Sequence, residues 1–111
     1  MSDKILYFSN LYVGEGITEK KLDKIKRNLE VRPLLSNVYL VTLSQNKDNQ
    51  LDIFQARQLV QRFYSTHPVC IVGIANTYDD AIALVEEIAK ECLKERGDCA
   101  LKEFLDGDYD H

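Results

Sequence analysis

The sequence predicts a small α/β domain, a βαβαβα layer structure whose mainly parallel sheet is flanked by helices. Three observations predict it. Apolar runs rich in β-branched and aromatic residues occur near 5–13, 37–43 and 69–75. Segments with helical apolar spacing follow them near 18–31, 53–65 and 78–96. Strands alternating with helices of this length imply crossover connections, so 37–43 and 69–75 are expected to run parallel. The 111 residues make one domain, 1–111, large enough to bury about two-thirds of its unfolded surface.

The first strand is read from ILYFSNLYVG, Ile5 to Gly14, with Ser9-Asn10 as a point where it bends or splits into a tight hairpin. Gly14-Glu15-Gly16 ends it. Thr18 is placed as the N-cap of the first helix, with Ile17 and Leu22 at the spacing of a hydrophobic staple. Leu22, Ile25 and Leu29 mark the buried face, and Pro33 sets the limit of the helix.

NVYLVTLS, Asn37 to Ser44, is the second strand; its near-continuous hydrophobicity implies burial on both faces. LDIFQARQLVQRFYSTHP supports two readings. As a hairpin, LDIF returns from the second strand. As a helix, Asp52 is the N-cap, Gln55 completes a capping-box spacing, and Ala56, Leu59, Val60 and Phe63 form a stripe. The helix is the preferred reading.

PVCIVGIA supplies the third strand. Thr77 caps the last helix, whose stripe is Ala81, Leu84, Val85, Ile88 and Cys92, with Glu86 and Lys90 spaced to pair outside and Gly97 as the C-cap. Cys99 to Leu105 reads as a short edge strand or a further helical turn. The acidic tail 106–111 is expected to be flexible. A thioredoxin-like arrangement is the alternative architecture, because a proline introduces the third strand. The resemblance is one of layout alone: there is no CxxC, and the hairpin such folds need before the last helix is not visible.

Charge is unevenly distributed. Residues 1–78 carry +3 and residues 79–111 carry −7, for a net of −4. An acidic chain is poorly suited to nucleic acid, whose binding rests on Lys and Arg neutralising phosphates. The basic run EKKLDKIKR alternates with acids and a helical stripe, as a solvated helix face does. No apolar run approaches the roughly 20 residues that span a bilayer, and MSDKILYFSN does not read as a signal peptide. The expectation is a cytoplasmic protein with no nucleic-acid or membrane partner.

No catalytic constellation is evident. Cys70, Cys92 and Cys99 lack metal spacing and read as reduced structural thiols, Cys70 and Cys92 buried. His67, at the other end of a strand from the polar turns, is read as a turn residue before Pro68. The one Gly of IVGIANT and the GxG of Gly14-Glu15-Gly16 both fall short of a dinucleotide fingerprint. Asp79 and Asp80 already complement the helix dipole at Thr77, so a phosphate there would meet repulsion. The expected catalytic, metal and cofactor sites are therefore none.

A ligand, if bound, is expected beyond the carboxyl ends of the strands. Those ends bring Glu15, Gln45, Asn46, Asn76 and Thr77 into consideration, a set suited to a neutral or cationic small molecule. The functional expectation is a non-enzymatic protein-interaction or assembly module, joined to a protein partner or to further copies of itself. In it the basic first helix of one copy would meet the acidic last helix of another, with Tyr12, Phe54 and Tyr64 as exposed aromatic candidates. The alternative is a small-molecule-binding domain or small enzyme with its pocket at that carboxyl edge.

Overall fold

Successive strand residues point to opposite faces of a sheet, and in this chain both faces are covered. The computed structural model describes residues 5–44, 49–59, 69–105 and 109–110. In chain order these form β1 (Ile5–Val13), α1 (Glu19–Val31), a 3-10 turn (Pro33–Leu35), β2 (Tyr39–Leu43), β3 (Leu51–Gln55) and a second 3-10 turn (Ala56–Gln58). There follow β4 (Val69–Ala75), α2 (Tyr78–Arg96), α3 (Leu101–Leu105) and β5 (Tyr109–Asp110). The sheet order is β3-β2-β4-β1-β5. The result is a small α/β domain with a mixed sheet.

Two apolar clusters sort by strand alternation. Ile5, Tyr7, Leu40, Phe54, Ile71 and Ile74 face one layer, where Leu22, Ile25 and Leu29 of α1 pack. Phe8, Val41, Val72 and Ala75 face the other, closed by Ala81, Leu84, Ile88 and Cys92 of α2 and by Leu101 and Leu105 of α3. Helices α1 and α2 therefore lie on opposite faces of the sheet. Helix caps fall where the sequence places them. The backbone N–H of Lys21 donates to Thr18 Oγ1 at 3.3 Å, and that of Asp80 to Thr77 Oγ1 at 3.1 Å. Gly97 ends α2 at φ +79°, a left-handed conformation that favours glycine.

The parallel expectation is corrected. Among the described residues only β1 and β4 pair in parallel; β2–β3, β2–β4 and β1–β5 are antiparallel. Segment 51–55 is a strand paired residue for residue with β2, from Tyr39↔Gln55 to Leu43↔Leu51. The preferred helix from 53 is thus overturned at its start, and Asp52 is a strand residue rather than a helix cap. Once β3 returns beside β2, β2 itself enters the sheet against the direction of β4, and the sheet becomes mixed. Ala56–Gln58 then form a 3-10 turn, while the rest of that expected helix from 60 on, with Tyr64, and His67 lie outside the described residues.

Two register shifts mark the sheet, one between Val41 and Thr42 where β2 pairs with β4 and a larger one between β1 and β4. Tyr7 pairs with Ile71 but Tyr12 with Gly73, so five steps along β1 match two along β4. The extra residues surround Ser9-Asn10, both exposed. Phe8 and Tyr12, which four extended residues would separate by roughly 13 Å, stack with ring centroids 6.2 Å apart. Ser9-Asn10 is a bulge. Within the tail expected to fray, Tyr109 and Asp110 pair with Phe8 and Tyr7. The segment after Gly97 takes its helical alternative, as α3.

Candidate functional site

Parallel pairing of β1 and β4 carries their carboxyl ends to the same sheet edge. There the Gly14 N–H donates to the Ile74 carbonyl at 2.9 Å. A Cβ on Gly14 would lie 3.1 Å from that of Ala75, so a larger residue there would press the two turns apart by a few tenths of an ångström. The Asn76 Nδ2 group donates to the Glu15 carbonyl at 3.2 Å. Three of the expected site residues, Glu15, Asn76 and Thr77, are thus neighbours in space. Asn76 and Thr77 are committed to structure, one to the β1–α1 turn and the other to the cap of α2.

Gln45 and Asn46 lie outside the described residues. Ser44, which precedes them, sits at the opposite sheet edge, because β2 runs against β4 with Tyr39 beside Ala75. The seven residues of β4 separate those edges by roughly 20 Å.

Beside Glu15 lies an open groove of about 670 Å³, lined by Val13, Gly14 and Glu15 and by Asp80, Ala83, Leu84, Glu86, Glu87 and Lys90 of α2. Four carboxylates and one ammonium make it a cation-attracting surface. Further along α2, Glu91 accepts a hydrogen bond from the Tyr12 hydroxyl at 2.9 Å. Burial, followed by that bond and the charges of Glu91, Glu87 and Glu95, pushes the Tyr12 phenol well above its ordinary range. Glu87, Glu91 and Glu95 therefore form a continuous acidic stripe at i, i+4 spacing along the β1 side of α2.

The opposite face carries the complement. Lys20, Lys24 and Arg27 recur along the exposed side of α1 and lead to Val31, which is 74% exposed. Leu34 and Leu35 follow at 65% and 61%. Such neighbouring apolar side chains on a surface mark interaction sites more often than scattered ones do. Among the described residues the ion pairs are those of Arg96, with Asp98 at 3.1 Å and Glu103 at 2.8 Å. The basic stripe of α1 and the acidic stripe of α2 are not paired with each other; the sheet stands between them.

The exposed aromatic candidates need revision. Phe54 is buried in the α1-side cluster, because in a strand it points into the core rather than out from a helix. Tyr12 is half-buried against Phe8 and Glu91. Sequence reasoning missed Val31, Leu34 and Leu35, although three large aliphatic residues around Pro33, beyond the stripe of α1, were the available sign. Of the cysteines, Cys92 is buried, Cys99 exposed and Cys70 half-buried, which corrects the expectation of full burial for Cys70. Burial pushes the Cys92 thiol up, and its Sγ donates to the Asp98 carbonyl at 3.3 Å.

Among the described residues, no cluster of three or more His, Cys, Asp or Glu side chains is arranged to hold a metal. No helix there is long and apolar enough to cross a membrane. No protein-family model, curated protein or solved structure matches this chain at a significant level.

Proposed function

We propose that this protein is a non-enzymatic assembly module in which the basic α1 face of one copy meets the acidic α2 flank of another. The observation that carries this reading is the separation of two complementary stripes onto opposite faces of one sheet. Charges of opposite sign that could neutralise each other inside one molecule are held where only a second molecule can bring them together. The exposed Val31, Leu34 and Leu35 at the end of the basic stripe supply apolar area, since exposed ion pairs alone contribute only about 0–1 kcal/mol each. Because the two surfaces differ, the contact is head-to-tail and propagates into a ring or a filament.

The test is a concentration series of mass by light scattering at low and high salt. The reading requires a mass that rises with concentration and falls as salt screens the stripes. A monomer at every concentration in low salt would refute self-assembly.

The alternative is a small-molecule site at the carboxyl edge of β1 and β4. The acidic groove beside Glu15 favours it, and the ligand would be a small organic cation. Glu15→Ala would then weaken binding, whereas Asn76→Ala would act by releasing the Glu15 carbonyl. Thermal shifts against a panel of amines separate this reading from assembly, because a bound cation stabilises the monomer without changing its mass.

A further inference from the structure

The sheet ends at β3. In the order β3-β2-β4-β1-β5 no strand of the described residues lies beyond it, and Leu59, where the chain leaves this edge, is buried in the α1-side layer. Residues of an antiparallel pair bond to the neighbouring strand at alternate positions. The Ser44 N–H donates to the Gln50 carbonyl at 3.1 Å, and the Ala56 N–H to the Val38 carbonyl at 2.9 Å. Residues 50 and 56 are thus bonded to the β2 side, and the same alternation turns the backbone groups of Asp52 and Phe54 towards β2. The N–H and C=O groups of Leu51, Ile53 and Gln55 are left pointing outward. Natural edges are blunted by proline, lysine or a bulge. β3 has none of these: LDIFQ pairs with β2 residue for residue.

The side chains beside that edge define what it can take. Leu51 and Ile53 are half-buried on the α2 face. Tyr78 and Ile82, 52% and 37% exposed, lie one turn apart on one flank of α2. Tyr78 meets the Tyr39 ring edge-on, with centroids 5.8 Å apart. This flank therefore lies on the β2–β3 side, whereas Glu91 lies on the β1 side with Tyr12. On the opposite face of β3, Asp52 is half-buried and is the one charged side chain of the strand. It is in no ion pair among the described residues. An added strand fits when apolar residues meet Leu51 and Ile53 and a basic residue lies across from Asp52. The net charge of −4 over the full chain favours the same sign of partner. A second copy fits less well, since antiparallel self-pairing about Ile53 sets Phe54 across from Asp52.

We propose that the outer edge of β3 binds an extended segment of another protein, with alternating basic and apolar residues, as an added antiparallel strand. The segment's residues opposite Leu51, Ile53 and Gln55 turn their N–H and C=O groups to β3 and their apolar side chains to the α2 face. The residues between them carry the cations. This edge is separate from the charged stripes, and the site stands whether or not the protein assembles.

The probe is a capped heptapeptide of alternating lysine and valine, with lysine at both ends, titrated into the full chain and followed by NMR and amide hydrogen exchange. Before peptide is added, the Leu51, Ile53 and Gln55 amides should exchange fast, while those of Asp52 and Phe54 are protected. The peptide should give saturable shifts centred on β3 and should protect Leu51 and Ile53. N-methylation of the central valine removes a donor aimed at β3 and should weaken binding at least about tenfold. N-methylation of the lysine beside it, whose N–H points away, keeps the same charge and should stay within about threefold. Asp52→Asn should weaken the peptide about two- to fivefold, as loss of an exposed ion pair does. No saturable binding, equal effects of the two N-methylations, shifts centred on the acidic stripe of α2, or an Asp52→Asn that binds as the parent does would each overturn the proposal. So would protection of the Ile53 amide before peptide is added; if that protection grows with protein concentration, the edge belongs to a second copy.

Discussion

Thr18 and Thr77 each perform one task, accepting a backbone N–H at a helix start. Thr77→Ala and Thr18→Ala should each cost about 1 kcal/mol in urea denaturation, the usual loss for a cap. If Thr77→Ala costs nothing, the cap is not what fixes the start of α2. The thiols supply a second residue-scale expectation. A native-state thiol reagent should label the exposed Cys99 first, the half-buried Cys70 next and the buried Cys92 last. The pH dependence follows from the same burial. Cys92, Tyr7 and Tyr12 all have their proton affinity raised in the folded state, mainly by desolvation. Above about pH 8.5 for the thiol and 10 for the phenols, the unfolded chain has lost protons that the folded chain retains. Stability is therefore fully present below those values and falls as pH rises through them. Urea midpoints measured from pH 7 to 11 should be flat at first and then decline. A midpoint that rises with pH would contradict the assignment.

At the scale of elements, the ends of α1 and α2 were legible because caps are local chemistry. Thr18, Thr77 and Gly97 act on backbone groups within a few residues, and no distant part of the chain has to be known. The β2–β3 hairpin was legible only as the second of two readings, because the evidence that decides for it is nonlocal. Asp52 and Gln55 have the spacing of a capping box, and Ala56, Leu59 and Val60 continue a helical stripe, yet Leu51 and Ile53 are held against the α2-side cluster. Phe54 is held against the other cluster. Tertiary pairing with β2 outweighed local propensity. The bulge at Ser9-Asn10 was half legible: the polar interruption was visible, but the number of residues it absorbs depends on β4. The strand assignment separates two substitutions. Phe54→Ala should cost about 3–5 kcal/mol, as removal of a buried ring does. Asp52→Ala, at a half-buried strand position with no helix to cap, should cost clearly less than Phe54→Ala. A loss near 1 kcal/mol at Asp52 with little at Phe54 would indicate a helix cap instead.

For the whole molecule, strand direction decided which turns meet. The sequence brought Glu15, Asn76 and Thr77 to one edge correctly because β1 and β4 are parallel. It grouped Gln45 and Asn46 with them only on the assumption that β2 runs the same way, and nothing in the composition of NVYLVTLS sets that direction. The charge asymmetry along the chain was readable from residues alone. What it lacked was the layer order, which puts α1 and α2 on opposite faces of the sheet and leaves their stripes facing outward. The assembly proposal rests on that arrangement, so the most direct measurement reverses one stripe at a time. Sedimentation velocity at low salt is run on Lys24→Glu/Arg27→Glu, on Glu87→Lys/Glu95→Lys, and on their equimolar mixture. Each double variant alone presents two like-charged stripes and should sediment as a monomer. The mixture restores opposite charge at every contact and should associate as the parent does. Variants that self-associate as well as the parent, or a mixture that stays monomeric while the parent assembles, would contradict the account.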